Sequence, residues 1–80
     1  MNARVFVTLK KGVLDPQGQA VVRSLGSLGF PEVEDARLGK VIELRVAGTD
    51  ATAAKARLEE MCRRLLANPI IEDYRIEIVS

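Results

Sequence analysis

Few residues in this chain are of a type that does chemistry. Cys62 is the single thiol among 80 residues, and there is no histidine. A thiolate nucleophile here would have no imidazole to take its proton. Cys/His ligation of zinc or haem is removed by the same absence. Cys62 also falls on an apolar helical stripe, where a thiol ordinarily packs as a small hydrophobe. The acid pairs Glu59-Glu60 and Glu72-Asp73 fail on spacing. Neighbouring residues point to different sides of a helix and to opposite faces of a strand, so neither pair converges into a dyad. Lys10 and Lys11 end a strand just ahead of a helix start, where two amines and free amides suit a phosphate or carboxylate. Charged residues at a strand end serve equally to keep the edge soluble. The expectation is no catalytic residue, no metal site and no enzyme in this chain by itself.

The elements that would position these residues are organised around Leu9 to Ala20. Asp15 is a good N-cap, because its carboxylate accepts from a free first-turn amide at the positive end of the helix dipole. Pro16 then stands at the first helical position, where its missing N–H costs nothing. Before the cap, Lys10, Lys11, Gly12, Val13, Leu14 and Asp15 form a loop whose apolar tip, Val13 and Leu14, is a candidate partner surface. From Ala3 to Lys10 the sequence alternates as a half-buried strand. After the cap, Val21, Leu25 and Leu28 recur at helical spacing, and Gly29 suits the position just past the helix end.

Val33 to Val46 reads as two apolar runs about Gly39-Lys40. A three-residue turn, Gly39-Lys40-Val41, would pair Leu38 with Ile42, Ala36 with Leu44 and Glu34 with Val46, gathering the apolar side chains on one face. One long bent strand with a bulge at Gly39 is the alternative. Asp50 caps a second helix whose buried stripe is expected to be Ala54, Leu58, Met61, Cys62 and Leu65. Pro69 forces Asn68 out of the helical region, closing this helix near Ala67. Ile70 to Val79 alternates as the last strand. The order β-α-β-β-α-β is that of an α+β ferredoxin-like sandwich: a single domain, residues 1–80, with an antiparallel sheet and two helices on one face.

The other face of that sheet would show Phe6, Thr8 and Val41 among charges, apolar enough to pair with a second copy. So short a chain buries only roughly 60% of its unfolded surface, which favours a homodimer or a higher oligomer. The net charge is +1, from twelve Lys and Arg against eleven Asp and Glu, so no field directs the chain to nucleic acid or membrane. Base stacking on the sheet would need more aromatics than Phe6. With no apolar run of 18 residues and no h-region, a cytoplasmic chain is expected.

Three blocks carry a family resemblance: Lys10-Lys11-Gly12-Val13-Leu14-Asp15-Pro16-Gln17-Gly18, Leu38-Gly39-Lys40-Val41-Ile42-Glu43-Leu44, and Cys62 to Tyr74 with its Leu65-Leu66-Ala67-Asn68-Pro69-Ile70-Ile71-Glu72-Asp73-Tyr74 core. Together they resemble PurS, the small subunit of phosphoribosylformylglycinamidine (FGAM) synthase. The resemblance implies a complex of purine biosynthesis that converts formylglycinamide ribonucleotide, glutamine and ATP to FGAM, glutamate, ADP and phosphate. A glutaminase subunit (PurQ) would release ammonia, and a synthetase subunit (PurL) would bind ATP and magnesium. The small subunit would carry no cofactor and no catalytic residue, form a dimer, bridge the other two and assist ammonia transfer. The loop at Lys10 to Asp15, the Gly39-Lys40 turn and the Asn68-Pro69 corner are then the candidate partner contacts. They are expected at two ends of the sheet, one end per partner. The alternative is a regulatory domain of the ACT type, with a small molecule held beside the first loop and helix, where Gly12 and Gly18 leave room.

Overall fold

The computed structural model describes residues 1–79. The chain runs β1 (Asn2–Leu9), α1 (Pro16–Ser27), β2 (Gly39–Arg45), α2 (Ala51–Met61), a π turn (Cys62–Leu66) and β3 (Glu72–Ile78). β1 is the central strand of an antiparallel sheet in the order β2-β1-β3. Its register sets Val5 between Ile42 and Ile76, and Val7 between Lys40 and Tyr74. Beyond the last ladder pair, the amide of Val46 donates to the Met1 carbonyl at 2.7 Å.

The alternation of β1 fixes the two faces. Val5 and Val7 point under the π turn, where they cluster with Cys62 and Ala67, and Ala3 and Leu58 are buried as well; Val5, Leu58 and Cys62 are all at 0% exposure. Ile42, Leu44, Leu66, Tyr74 and Ile76 close the cluster at its margins. Burying a Val or Leu side chain of this kind stabilises by about 1.5–3 kcal/mol, so a core this small leaves little reserve.

The α+β class and the antiparallel sheet are as the sequence predicts, but the hairpin is not formed. Residues 33–38 carry no ladder, and the pairs Leu38–Ile42, Ala36–Leu44 and Glu34–Val46 do not exist. Gly39 is the first residue of β2, opposite Thr8, and not part of a turn. A Cβ there would run into the Val7 carbonyl and come within 2.8 Å of Thr8 Cγ2, so the glycine is required for close strand approach. The physical reason the preceding segment stays out of the sheet is that side chains hold it instead. The Leu38 amide donates to Asp15 Oδ2 at 3.0 Å, and the Arg37 guanidinium reaches back over the end of β1.

The helices differ from a sandwich with both on one face. α2 packs on β3, whereas α1 packs closely on no other element. The molecule measures 48 × 26 × 14 Å with a radius of gyration of 15.9 Å, against roughly 12 Å for a compact domain of this length. α1 begins and ends as its caps dictate: Asp15 accepts from the Gly18 amide, Pro16 is first in the helix, and Gly29 follows the Leu28 C-cap at φ +100°.

α2 is capped by Asp50, which accepts from Thr52 and Ala53. Ala54, Leu58 and Cys62 face inward as expected, but Leu65 is 83% exposed. The cause is the π turn. The Ala67 amide bonds Cys62 O at 3.0 Å, five residues back, and this wider turn carries Leu66 and Ala67 inward and Leu65 out.

Candidate functional site

Antiparallel pairing decides where the candidate contacts lie. β1 ends where both its neighbours begin, with Thr8 opposite Gly39 and Leu9 opposite Glu72. The Lys10–Asp15 loop, Gly39-Lys40 and the Asn68-Pro69 corner are therefore brought to one end of the sheet. The expectation of two ends is corrected: these residues form a single surface.

Each part of that surface is held by identifiable bonds. The Lys10 amide donates to Ile71 O at 2.8 Å, and Val13 N to Lys10 O at 3.1 Å, closing a turn at Gly12, whose φ of +87° suits glycine. The corner is self-contained. The Asn68 amide donates to Glu72 Oε1 at 2.7 Å, Asn68 Oδ1 accepts from Ile70 N at 3.0 Å, and the Asn68 carbonyl accepts from Glu72 N at 2.7 Å. Pro69, which offers no N–H, sits where none is needed.

Asp15 and Arg37 tie the loop to the segment before β2. Asp15 Oδ1 accepts from Gly18 N at 2.9 Å, while Oδ2 takes the Leu38 amide. These two amide bonds, Gly18 first, hold the Asp15 carboxyl below its ordinary range, with the Arg37 charge adding to the effect. Arg37 Nη2 donates to Leu9 O at 2.6 Å and Lys10 O at 2.9 Å. Neither the Arg37 clamp nor the second role of Asp15 is marked in the sequence, because both join positions more than twenty residues apart and no local spacing announces them.

Lys10 is committed to an ion pair with Asp73 at 2.9 Å across the strands. Both partners are exposed, so the pair adds little stability. Lys11 and Lys40 make no ion pair with any described residue. Beside them Leu14 is 66% exposed, above a hollow of about 300 Å³ between Gly12–Asp15 and Asp35–Arg37. Val13 is half-buried. The end thus presents free ammonium groups, apolar side chains and firmly held backbone, which is the make-up of a docking surface.

On the sheet face away from α2, Phe6 stands between Val41 and Arg75, with the Arg75 guanidinium 4.1 Å from the ring centroid. Val41 is 53% exposed. Thr8 shares this face at the candidate end. Cys62 lies in the core, where burial, with the Glu59 charge as a lesser cause, pushes its thiol up, opposite to what a nucleophile needs. The acid pairs are separated as expected: Glu60 is bound by Arg63 at 2.7 Å, and Glu72 and Asp73 go to different partners.

The family model for PurS, phosphoribosylformylglycinamidine (FGAM) synthase, matches residues 2–80. The chain belongs to the PurS family. Among its relatives, phosphoribosylformylglycinamidine synthase subunit PurS of Bacillus subtilis is 48% identical over 77 residues, covering 96% of this chain and 90% of that one. The Methanocaldococcus jannaschii PurS subunit is 43% identical, with 96% and 93% covered. The solved structure of B. subtilis PurS superposes with a TM-score of 0.87 at 46% identity, covering 99% of this chain and 98% of that one. A chain of the PurLQS structure from Thermotoga maritima gives 0.89 at 29% identity, with 98% and 95% covered. The PurS fold is thus shared along almost the whole chain.

Proposed function

We propose that this chain is a non-catalytic subunit of FGAM synthase, a cytoplasmic complex in which it bridges the glutaminase subunit PurQ and the synthetase subunit PurL. The observation that carries the reading is the near-complete match to a chain of the Thermotoga maritima PurLQS structure. The chemistry of this chain supports it: its one thiol is buried and pushed away from the thiolate, and its exposed groups form a surface and not a converging site. ATP and magnesium belong to the synthetase subunit, and this chain binds neither. Its role is to hold the two catalytic subunits so that ammonia released from glutamine reaches the activated amide.

The chain works as a homodimer or higher oligomer. A radius of gyration well above that of a compact domain and a thin core both favour association. The open sheet face at Phe6, Thr8 and Val41 is the dimer surface. Light scattering at micromolar concentration should show at least a dimer, and Phe6→Ala should shift it toward monomer; a monomeric parent chain refutes this.

The gathered end carries one partner contact. Leu14→Asp places an unpaired charge in that interface while leaving the core intact, because Leu14 is exposed and touches no core residue. Glutamine-dependent FGAM synthesis by the reconstituted three-subunit complex should fall at least tenfold, and synthesis driven by added ammonium should persist. Full glutamine-dependent turnover with Leu14→Asp would remove this end from the interface. Calorimetric titration of the free chain with glutamine, glycine and purine nucleotides should give no heat; binding there would favour an ACT-type regulatory role.

A further inference from the structure

The chain by itself exposes more surface than its length requires. A compact monomer of 80 residues has an accessible surface of about 4,800 Å², whereas this one has 5913 Å². The surplus of roughly 1,100 Å² exceeds the roughly 800 Å² that each partner covers in a stable contact between proteins. Two apolar features that a closed sandwich would cover are open here. One is α1, with Val21, Val22 and Leu25 on its stripe and Leu28 and Phe30 just beyond it at 72% and 49% exposure. The other is a groove of about 430 Å³ between α2 and β2, floored by Leu44, Met61, Leu65 and Leu66, where the π turn carries Leu65 to the surface. The two do not meet within one chain. α1 packs closely on no element, and the bonds of Asp15 to Gly18 and Leu38 hold both ends of the α1 excursion beside the start of β2.

Their charges are opposite. Arg57 and Arg64 rim the groove, and Glu60 beside them is already engaged, by Arg63 at 2.7 Å and by Arg64 at 3.8 Å. Arg57 forms no ion pair with a described residue, and Arg64, 77% exposed, has that one long contact. The only charge within α1 is Arg23, which helical spacing sets on the side away from Val21, Val22 and Leu25. The segment that follows α1 carries Glu32, Glu34 and Asp35, all exposed and none in an ion pair with a described residue. An apolar floor below unpaired arginines thus faces its match in apolar side chains followed by unpaired carboxylates. We infer that the groove of one chain receives the end of α1 and the Glu32–Asp35 segment of a second copy, which accepts the same element in return. An exchange of identical elements about a two-fold axis is closed, so it stops at two chains. The inference rests on the homodimer reading above and adds a second contact to it. Leu44 pairs with Ala3 on the α2 side of the sheet and Phe6 lies on the other, so one chain can use both surfaces.

The test is the light-scattering mass of the full chain at micromolar concentration. With both surfaces in use, Phe6→Ala should lower the mass to two chains and no further. In that background, Arg57→Glu with Arg64→Glu, and separately Glu32→Lys with Glu34→Lys, should each weaken dimerisation at least tenfold with the far-UV spectrum unchanged, because groove and occupant then carry like charge. An equimolar mixture of the two double variants should restore the dimer, since the groove of each opposes the segment of the other, and added salt should weaken it again. Damage to the fold could not produce that recovery. A monomeric Phe6→Ala chain overturns the groove contact and leaves the open-face dimer standing. Undiminished dimerisation in either double variant, or a mixture that stays monomeric, overturns it as well. Double variants that keep the dimer but lose affinity for the purified glutaminase or synthetase subunit assign the groove to that subunit instead. A monomeric parent chain removes the homodimer reading and this inference together.

Discussion

Gly18 and Gly26 lie in the same helix, and replacing each by alanine should have opposite effects. Glycine inside a helix is less stable than alanine by about 0.8–1 kcal/mol, and somewhat less near the ends, so roughly 0.5–1 kcal/mol is available at either position. At Gly26 a Cβ meets nothing within 4 Å. At Gly18, the one buried residue of α1, the Cβ would run into the Ala36 carbonyl and stand 2.9 Å from Asp15 Oδ2. The carbonyl is backbone and cannot rotate aside, and the carboxylate is fixed by the Leu38 amide. Relief would pull residues 36–38 off the start of α1, with a cost for such overpacking of about 1–3 kcal/mol. Gly18→Ala should therefore lose a net of about 1 kcal/mol, and Gly26→Ala gain slightly less. For a domain of this size a difference of 1 kcal/mol moves the melting temperature by roughly 4–8 °C. Thermal unfolding followed by circular dichroism, at one protein concentration because association is involved, reads both variants. If Gly18→Ala raises the melting temperature as much as Gly26→Ala, residues 36–38 are not seated against α1 and the account of this end is wrong.

Asp15→Asn should keep the cap to Gly18 but lose the charged acceptor for the Leu38 amide, lowering the melting temperature by several degrees at neutral pH. Because the folded carboxyl titrates below its ordinary value, its contribution is full above about pH 4 and is lost as pH falls through that lowered value. The melting temperature of the Asn variant should thus change less than that of the parent between pH 4 and more acid conditions; parallel curves would contradict the bond pattern. Leu58→Ala, at a fully buried position under α2, should cost about 2–5 kcal/mol and leave much of the chain unfolded by far-UV circular dichroism. Cys62 should resist a thiol reagent in the native chain and react rapidly in denaturant; fast native labelling would show that the π turn opens readily.

What was legible in the sequence was local. Asp15-Pro16 and Asp50 mark helix starts because a cap acts within three residues, and the inward faces of β1 and β3 follow from strict alternation. The hairpin failed because alternation reports a buried face but not a ladder. Ala36 and Leu38 alternate with Asp35 and Arg37, yet the bonds of this segment go to Asp15 and, through Arg37, to the carbonyls ending β1. An unbroken helical period places Leu65 in the core, but one wide turn interrupts that period, and nothing in Cys62–Leu66 announces the turn.

The common end of the candidate contacts was recoverable from topology, since in an antiparallel sheet the end of a central strand adjoins the starts of both neighbours. The position of α1 was not. Its apolar stripe, Val21, Val22, Leu25 and Leu28, reads identically whether the helix lies on its own sheet or waits for another surface. What distinguishes the two is the Asp15 and Gly18 junction with residues 36–38, a long-range contact that fixes how the helix leaves the sheet. The same junction supports the Lys10–Asp15 loop at the candidate end, so the orientation of α1 and the shape of that surface are coupled: a change that loosens one alters the other. That coupling makes Gly18 a position where a single methyl group should disturb both stability and partner binding, whereas Gly26, remote from the junction, should affect stability alone.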